Sequence, residues 1–294
     1  LRSLLFVPAD DARKLGKAVE SAADALILDL EDSVAPSRKG AARAGALAFL
    51  REHRAEAERP RLFVRINALA TPLSEGDLDV VMTAAPDGIV LPKAAGGGDV
   101  ALLGSRIAVR EALHGWPDGA IRIVAIATES AAALFALHTY LGASARLAGL
   151  AWGAEDLSAD IGASATRTDG DWTEPFRLAR QLCLFGAAAA GVAAIDTVFV
   201  DFRDLRGLQR ECEMAARDGF SGKLAIHPGQ IAIINDAFTP APEAVARAER
   251  VVAAFAGSAG LGVTSLDGEM LDRPHLKAAE RLLARAGRVK PSRP

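Results

Sequence analysis

Short apolar runs recur along this chain, each followed by a polar residue and then by sequence with helical spacing. Ser3–Pro8 is the first, and Ala25–Leu30 is the second, with Asp29 inside it and Glu31 and Asp32 just beyond. The third, Arg61–Ile66, leads to Arg65 and Asn67, and the fourth, Gly88–Leu91, leads to Pro92 and Lys93. The fifth and sixth lie in IRIVAIATES and RLAGLAWGAEDL and run on to Glu129 and Asp156. The seventh is Ile195–Val200, before Asp201, and the eighth is Leu224–Ile226, before His227 and Pro228. Runs that are apolar throughout, rather than alternating, suit strands buried on both faces of a parallel sheet. Eight strands alternating with helices predict an α/β chain, a (β/α)8 TIM barrel. A doubly wound open sheet is the competing architecture, but it expects a glycine-rich phosphate loop after an early strand. Neither GxGxxG nor GxxxxGK[ST] follows any run, and the cluster Gly96–Gly98 reads as a flexible loop.

The polar residues between the runs set helix boundaries. Asp10 is placed to cap the helix DARKLGKAVESAA, and Ser37 after Pro36 opens a helix reaching about Ala57. An alanine-rich helix joins the fifth and sixth runs. Such a crossover lays two parallel strands side by side, so Glu129 and Asp156 share one edge of the barrel. Past His227 the chain continues through a helix near Glu243–Ala256, a loop SAGLGVTSLDGEMLDRP, and a last helix at about Leu276–Ala286. The barrel is complete before these. The expected division is therefore a catalytic barrel domain over residues 1–235 and a C-terminal helical extension and lid over 236–294. In the lid, Met270 and Leu271 would dock while Asp272 faces the chemistry; the other reading makes Asp272 a helix cap on a surface loop. Lys290–Pro294 reads as a frayed end.

Composition narrows the class. Apolar residues make up 50% and charged residues 24% of 294, an ordinary globular balance. The net charge of −3 argues against a general nucleic-acid binder. Cys183 and Cys212 have no CxxC spacing, so neither a zinc site nor a disulfide framework is indicated, and a reducing, cytoplasmic setting fits. No apolar run reaches the ~18 residues that a membrane span needs. The opening LRSLLFVP lacks a small-residue cleavage site and reads as a strand.

Two carboxylates converging on a hard cation, with positions left for substrate oxygens, is a typical Mg²⁺ arrangement. A single acidic residue after a strand is commonly only a helix-terminus residue; the pair on neighbouring strands is what points to a metal. Arg65 is suited to hold a substrate carboxylate in a bidentate fork. Lys93 is open to three readings: Schiff-base nucleophile, charge stabiliser, or ion-pair partner of Asp29 or Glu31, the last being favoured. His227 is either a catalyst or a buried, hydrogen-bonded residue.

RSLLFVPAD, LILDLEDSV, FVRIN, VLPK, IATES, WGAEDLSADIG, AIHPGQ and DGEMLD stand in this order over nearly the whole chain. Together they resemble the citrate lyase β-subunit-like proteins of the HpcH/HpaI aldolase superfamily. The resemblance implies a Mg²⁺-dependent carbon–carbon lyase of the oxo-acid type. It would cleave or form a 3-hydroxyacyl-CoA thioester, such as citryl-, malyl- or citramalyl-CoA, with an acyl-CoA and a 2-keto acid as the partners. It assigns Glu129 and Asp156 to the metal, Arg65 to the keto-acid carboxylate, and Asp272, with Asp267 as the nearby alternative, to proton transfer. Asp29, Glu31 and Lys93 complete the catalytic candidates. The backbone around Gly153, Ala154 and Glu155 is a candidate for the keto-acid carboxylate, and Arg2, Arg13 and Lys17 for the CoA phosphates. The family's barrels form trimers or hexamers, and some serve as subunits of a citrate lyase complex. Malyl-CoA hydrolysis, a malate synthase-like condensation, and aldol cleavage of free hydroxy-keto acids stay open as alternatives on the same site.

Overall fold

The computed structural model describes residues 1–257 and 262–287. The chain divides into two compact units, Leu1–Asn235 and Asp236–Pro294.

The first unit is a closed barrel of eight parallel strands. They are β1 (Ser3–Pro8), β2 (Ala25–Asp29), β3 (Arg61–Arg65), β4 (Gly88–Leu91), β5 (Arg122–Ile126) and β6 (Leu147–Ala151). A two-stranded hairpin, β7 (Arg167–Thr168) and β8 (Asp171–Trp172), interrupts the series before β9 (Ala193–Asp196) and β10 (Gly222–Ala225). The order around the barrel is β1-β10-β9-β6-β5-β4-β3-β2. The (β/α)8 expectation holds, and β1 and β4 have the bounds that the apolar pattern gave. The seventh strand starts earlier and stops sooner than Ile195–Val200, because Asp196 closes it with a buried carboxylate. The eighth includes Lys223, a fully buried lysine that an apolar criterion excludes.

Every barrel strand contributes to the interior. Leu4, Ala25, Ile27, Phe63, Val90, Val124, Ile126, Ala151, Ile195 and Leu224 form one buried cluster, each large side chain worth about 1.5–3 kcal/mol on burial. Sizes are matched across strands. A Cβ on Gly88 would lie 2.3 Å from the Phe63 ring, so the glycine leaves the space that the phenyl ring fills.

The helices around this unit are α1 (Ala12–Val19), α2 (Lys39–His53), α3 (Leu73–Val81), α4 (Gly97–His114) and α5 (Ala131–Phe135). They continue with α6 (Glu155–Ile161), α7 (Glu174–Ala190), α8 (Leu205–Asp218) and α9 (Ile231–Phe238). Several boundaries differ from the sequence reading. Asp11, not Asp10, caps α1 by accepting from the Lys14 amide at 3.1 Å, while Asp10 takes Arg38 Nε at 2.5 Å. One 3₁₀ turn, Pro36–Arg38, precedes α2, which ends at His53 rather than near Ala57. The crossover between β5 and β6 is only the five-residue α5 and a 3₁₀ turn, Leu137–Tyr140. Gly97 is not in a loop but opens α4, and its amide donates to Thr139 Oγ1 at 2.7 Å. A Cβ on Gly97 would stand 2.0 Å from the Thr139 carbonyl oxygen, so glycine permits this approach.

The second unit holds α10 (Pro242–Ala256), β11 (Val263–Leu266), β12 (Glu269–Asp272) and α11 (Arg273–Arg285). The segment read as a loop is an antiparallel hairpin. Its turn residues, Asp267 and Gly268, have φ of 54° and 84°, the left-handed pair that a two-residue turn of this kind needs. Strand alternation separates the two apolar residues of this segment: Leu271 is buried with Ala248, Val251, Ala279 and Leu283, whereas Met270 is 73% exposed. Ser258–Leu261 of the segment expected to form a lid, and the Lys290–Pro294 end, lie outside the described residues. No helix among the described residues is long and apolar enough to cross a membrane.

Candidate active site

The chemistry-bearing residues gather at the C-terminal ends of β2 to β6. Asp29 and Arg65 end neighbouring strands and are partners in the register of β2 and β3. Their side chains form a fork, Nε to Oδ1 at 2.7 Å and Nη2 to Oδ2 at 2.6 Å. Asp29 also accepts from the amides of Glu31 at 2.9 Å and Ser33 at 3.1 Å. Burial alone would raise its pKa, but Arg65 and these donors hold it below the usual carboxylate range. The arginine fork therefore faces Asp29, not open space, which corrects the simple picture of a fork waiting for substrate. Nη1 remains, 3.1 Å from Glu31 Oε2.

Glu31 is buried, and its Oε2 has no hydrogen bond of good geometry despite that proximity. Burial raises its pKa against the pull of Arg65 and Lys93. Lys93 sits at φ 51°, a left-handed conformation that costs a side-chain-bearing residue about 1–2 kcal/mol. That backbone turns its amide onto Glu129 Oε2. Its Nζ meanwhile reaches Glu31 Oε1 at 2.5 Å, Asp32 Oδ2 at 2.9 Å and Asp156 Oδ1 at 3.5 Å. Burial would lower its pKa, but hydrogen bonds to Glu31 and Asp32 outweigh it and raise the pKa above that of an ordinary lysine. Three carboxylates within 3.5 Å of Nζ match the ion-pair reading of this lysine. The ion pair is with Glu31, Asp32 and Asp156, and not with Asp29.

Glu129 and Asp156 follow β5 and β6, which pair in parallel. Burial pushes the Glu129 carboxyl up to about 8; the Lys93 amide opposes this, and the nearby Asp156 and Glu31 charges add to it. Asp156 is half-exposed in the first turn of α6, where a negative charge suits the helix dipole. Between them lies Gly153, whose amide donates to Thr128 Oγ1 at 3.1 Å. A Cβ there would be 2.8 Å from Glu129 Cγ, so Glu129 is packed directly over this glycine. Ala154 caps α6 and Glu155 is exposed in its first turn. Neither Thr128 nor the steric role of Gly153 is signalled by spacing in the sequence.

Other candidates lie elsewhere. Arg2 precedes β1, at the end of the barrel opposite the strand C-termini, with Nη2 2.7 Å from Asp24 Oδ1. Strand polarity therefore separates it from the site. Arg13 and Lys17 are exposed on α1. Asn67 is structural, its Nδ2 donating to Asp77 Oδ2 at 2.7 Å and to the Leu30 carbonyl at 3.1 Å. His227 is exposed rather than buried; its Nδ1 accepts from the Gly229 amide at 3.0 Å and its ring stacks on Phe202 at 4.9 Å. In the second unit Asp272 caps α11, with Oδ1 2.5 Å from His275 Nδ1. Asp267 pairs with Arg250.

Among the described residues no group of three or more His, Cys, Asp and Glu side chains is arranged to hold a metal ion. Two carboxylates remain, the number a Mg²⁺ ion commonly takes from protein when substrate and water supply the rest. The raised pKa of Glu129 fits such a role, because a cation would favour the charge that burial disfavours.

The sequence model of HpcH/HpaI aldolase/citrate lyase matches residues 2–228, most of the chain. The chain belongs to the HpcH/HpaI aldolase/citrate lyase family. By that membership it is an enzyme of the oxo-acid lyase type. The mitochondrial citramalyl-CoA lyase of Rattus norvegicus is 32% identical, the match covering 98% of this chain and 87% of that one. The (3S)-malyl-CoA thioesterase of Cereibacter sphaeroides is 35% identical, over 97% and 94%. Protein CitE from Mycobacterium tuberculosis, solved with magnesium, acetoacetate and coenzyme A, is 36% identical with a TM-score of 0.74, over 97% and 98%.

Proposed function

We propose that this enzyme cleaves or forms the carbon–carbon bond of a 3-hydroxyacyl-CoA thioester, with a 2-keto acid as one partner and Mg²⁺ as cofactor. One observation carries the reading: the parallel pairing of β5 with β6 sets two carboxylates, the buried Glu129 and the half-exposed Asp156, after the ends of neighbouring strands. Glu129 and Asp156 would hold the cation. When bound, it polarises a carbonyl or alkoxide oxygen and neutralises a keto-acid carboxylate.

The chain's own residues then divide the work. Asp29 fixes the Arg65 guanidinium, leaving Nη1 as the nitrogen available to a substrate carboxylate. Lys93 orients Glu129 by its amide and keeps Glu31, Asp32 and Asp156 from repelling one another. Ala154 and Glu155 offer amides at the start of α6; that of Gly153 is engaged by Thr128. Asp272 is assigned proton transfer: taking the hydroxyl proton in cleavage, or an acyl-CoA α-proton in condensation. With Arg2 removed from the candidates, Arg13 and Lys17 are left for the CoA phosphates. The working form is proposed to be a homotrimer or hexamer, with assembly into a citrate lyase complex as the alternative setting.

Incubation with citryl-, malyl- and citramalyl-CoA and Mg²⁺, with products identified by mass spectrometry, tests the reading. A keto acid plus an acyl-CoA is expected. Free CoA with an intact hydroxy acid would establish the hydrolytic reading, which the thioesterase relative favours. Asp156→Asn should abolish turnover with the fold retained; full activity would remove Asp156 from the metal.

A further inference from the structure

Behind the Gly153–Asp156 segment, where β6 passes into α6, lies a set of charges for which the chemistry above has no use. Trp152, fully buried, donates its indole N–H to Asp196 Oδ1 at 2.6 Å. Asp196 Oδ2 accepts from Lys223 Nζ at 3.0 Å, and the same ammonium donates to Glu211 Oε1 at 2.7 Å. Glu211 Oε2 is held by Arg167. Arg167 in turn lies 3.5 Å over the ring of Trp172, and Trp172 meets Trp152 edge-on at 4.8 Å. The contacts close a circuit through the ends of β6 and β9, the middle of β10, the helix α8 and the β7–β8 hairpin. Asp196 and Lys223 are both 0% exposed. Burial opposes the charge of each, yet the partners win, keeping Asp196 below and Lys223 above its ordinary range.

Buried ion networks are a costly way to fill space, since apolar residues of similar volume are often as stable. Their value is in fixing one arrangement, and here the arrangement fixed is that of Trp152, the residue before Gly153. We propose that Trp152 and the charged circuit behind it are positioning residues for the metal site: they set the height of the Gly153–Asp156 segment at the start of α6, and so the place of Asp156 and of Glu129 packed over Gly153. The inference rests on Glu129 and Asp156 being the cation's ligands. It makes the β7–β8 hairpin part of the active-site scaffold, although none of its side chains is among the proposed ligands.

The test uses the full chain and Mn²⁺ as the probe, its binding followed by electron paramagnetic resonance without substrate. Trp152→Phe removes the indole donor and keeps an aromatic ring. Arg167→Met opens the circuit at its most exposed member and guards against a Trp152 variant that fails to fold. Outer-shell partners of metal ligands typically contribute 10–100-fold in affinity. Trp152→Phe should weaken Mn²⁺ binding by about 10-fold or more, and Arg167→Met by a smaller factor in the same direction. Glu111→Gln, which breaks a buried pair outside the circuit, should lower the melting temperature and leave Mn²⁺ affinity unchanged. Melting temperatures that fall in the circuit variants with wild-type Mn²⁺ affinity would overturn the inference and leave the metal site standing. Wild-type Mn²⁺ affinity in Asp156→Ala would overturn the ligand assignment and this inference with it.

Discussion

Gly153→Ala tests the site at its tightest contact. The added methyl would stand 2.8 Å from Glu129 Cγ, 3.4 Å from Ile126 Cγ2 and 3.6 Å from Glu129 Cδ. Comfortable carbon–carbon separation is about 3.5–4.0 Å, so Glu129 must give way by about 1 Å, and Ile126 Cγ2 at 3.4 Å keeps the new methyl from easing off the other way. The backbone itself does not resist, because Gly153 is not among the positive-φ glycines and alanine is allowed there. The damage should therefore be confined to the glutamate and its hydrogen bond from the Lys93 amide. Mg²⁺ demands near-ideal octahedral geometry, and a misplacement of about 1 Å can cost about 100-fold in rate. The expected result is Mn²⁺ affinity lower by about 10–100-fold, with kcat/KM down about 100-fold at limiting Mg²⁺ and a melting temperature within a few degrees of wild type. Titration calorimetry and steady-state assays measure both. Gly98→Ala is the control, since a Cβ there meets nothing within 4 Å. Wild-type cation affinity in Gly153→Ala would refute the reasoning, because Glu129 would then be either mobile enough to step aside or not a ligand.

Other outcomes follow from the same geometry. Arg65→Lys keeps the charge but loses the two-point grip on Asp29; it should weaken keto-acid binding strongly and leave CoA binding little changed, and equal loss of both ligands would make Arg65 purely structural. Asp272→Asn should cut kcat sharply with Mg²⁺ affinity intact, since a general base acts in the transition state; a fully active variant would shift attention to Asp267. Mixing Asp272→Asn with Glu129→Ala protomers should recover activity if one chain's aspartate serves another's metal, and inactive heteromers would confine it to its own chain. Glu111 accepts Arg146 Nη1 at 2.8 Å and the amides of Ile121 at 2.9 Å and Gly119 at 3.1 Å. Burial would raise its pKa, but these donors hold it below the usual range. Its contribution is thus present above the unfolded glutamate pKa and lost as pH falls through the folded one. Glu111→Gln should cost about 3 kcal/mol near neutrality, and the two unfolding curves should converge in acid; a constant difference down to pH 2 would show that ionisation is not the source.

The barrel was legible because strands buried on both faces leave continuous apolar runs, and the place of Glu129 and Asp156 followed from strand adjacency alone. What escaped the pattern had physical reasons. Lys223 breaks an apolar run, and only Asp196 and Glu211, distant in sequence, make its burial tolerable. The strands β7 and β8 have two residues each, too few for any period. The Asp29–Arg65 fork spans 36 residues and depends on register, which composition does not encode. Two misreadings were avoidable. Arg2 precedes its strand and so belongs at the far end of the barrel, and Asp267-Gly268 is a hairpin signal in its own right.

The closure of the barrel sets a constraint on its biosynthesis. β1 is sealed on one side by β2 but on the other by β10, with Ser3 opposite Lys223, and Ser3 Oγ donates to Asn235 at 2.7 Å. The first strand of the barrel thus waits for the last. At translation speeds of about 5–20 residues per second, the wait for residue 225 is about 10–45 s. During that time the β1 edge and its apolar inner face lack their final cover. An uncovered strand edge is a template for pairing with other chains, so nascent chains of this enzyme should depend on chaperones until β10 closes the barrel.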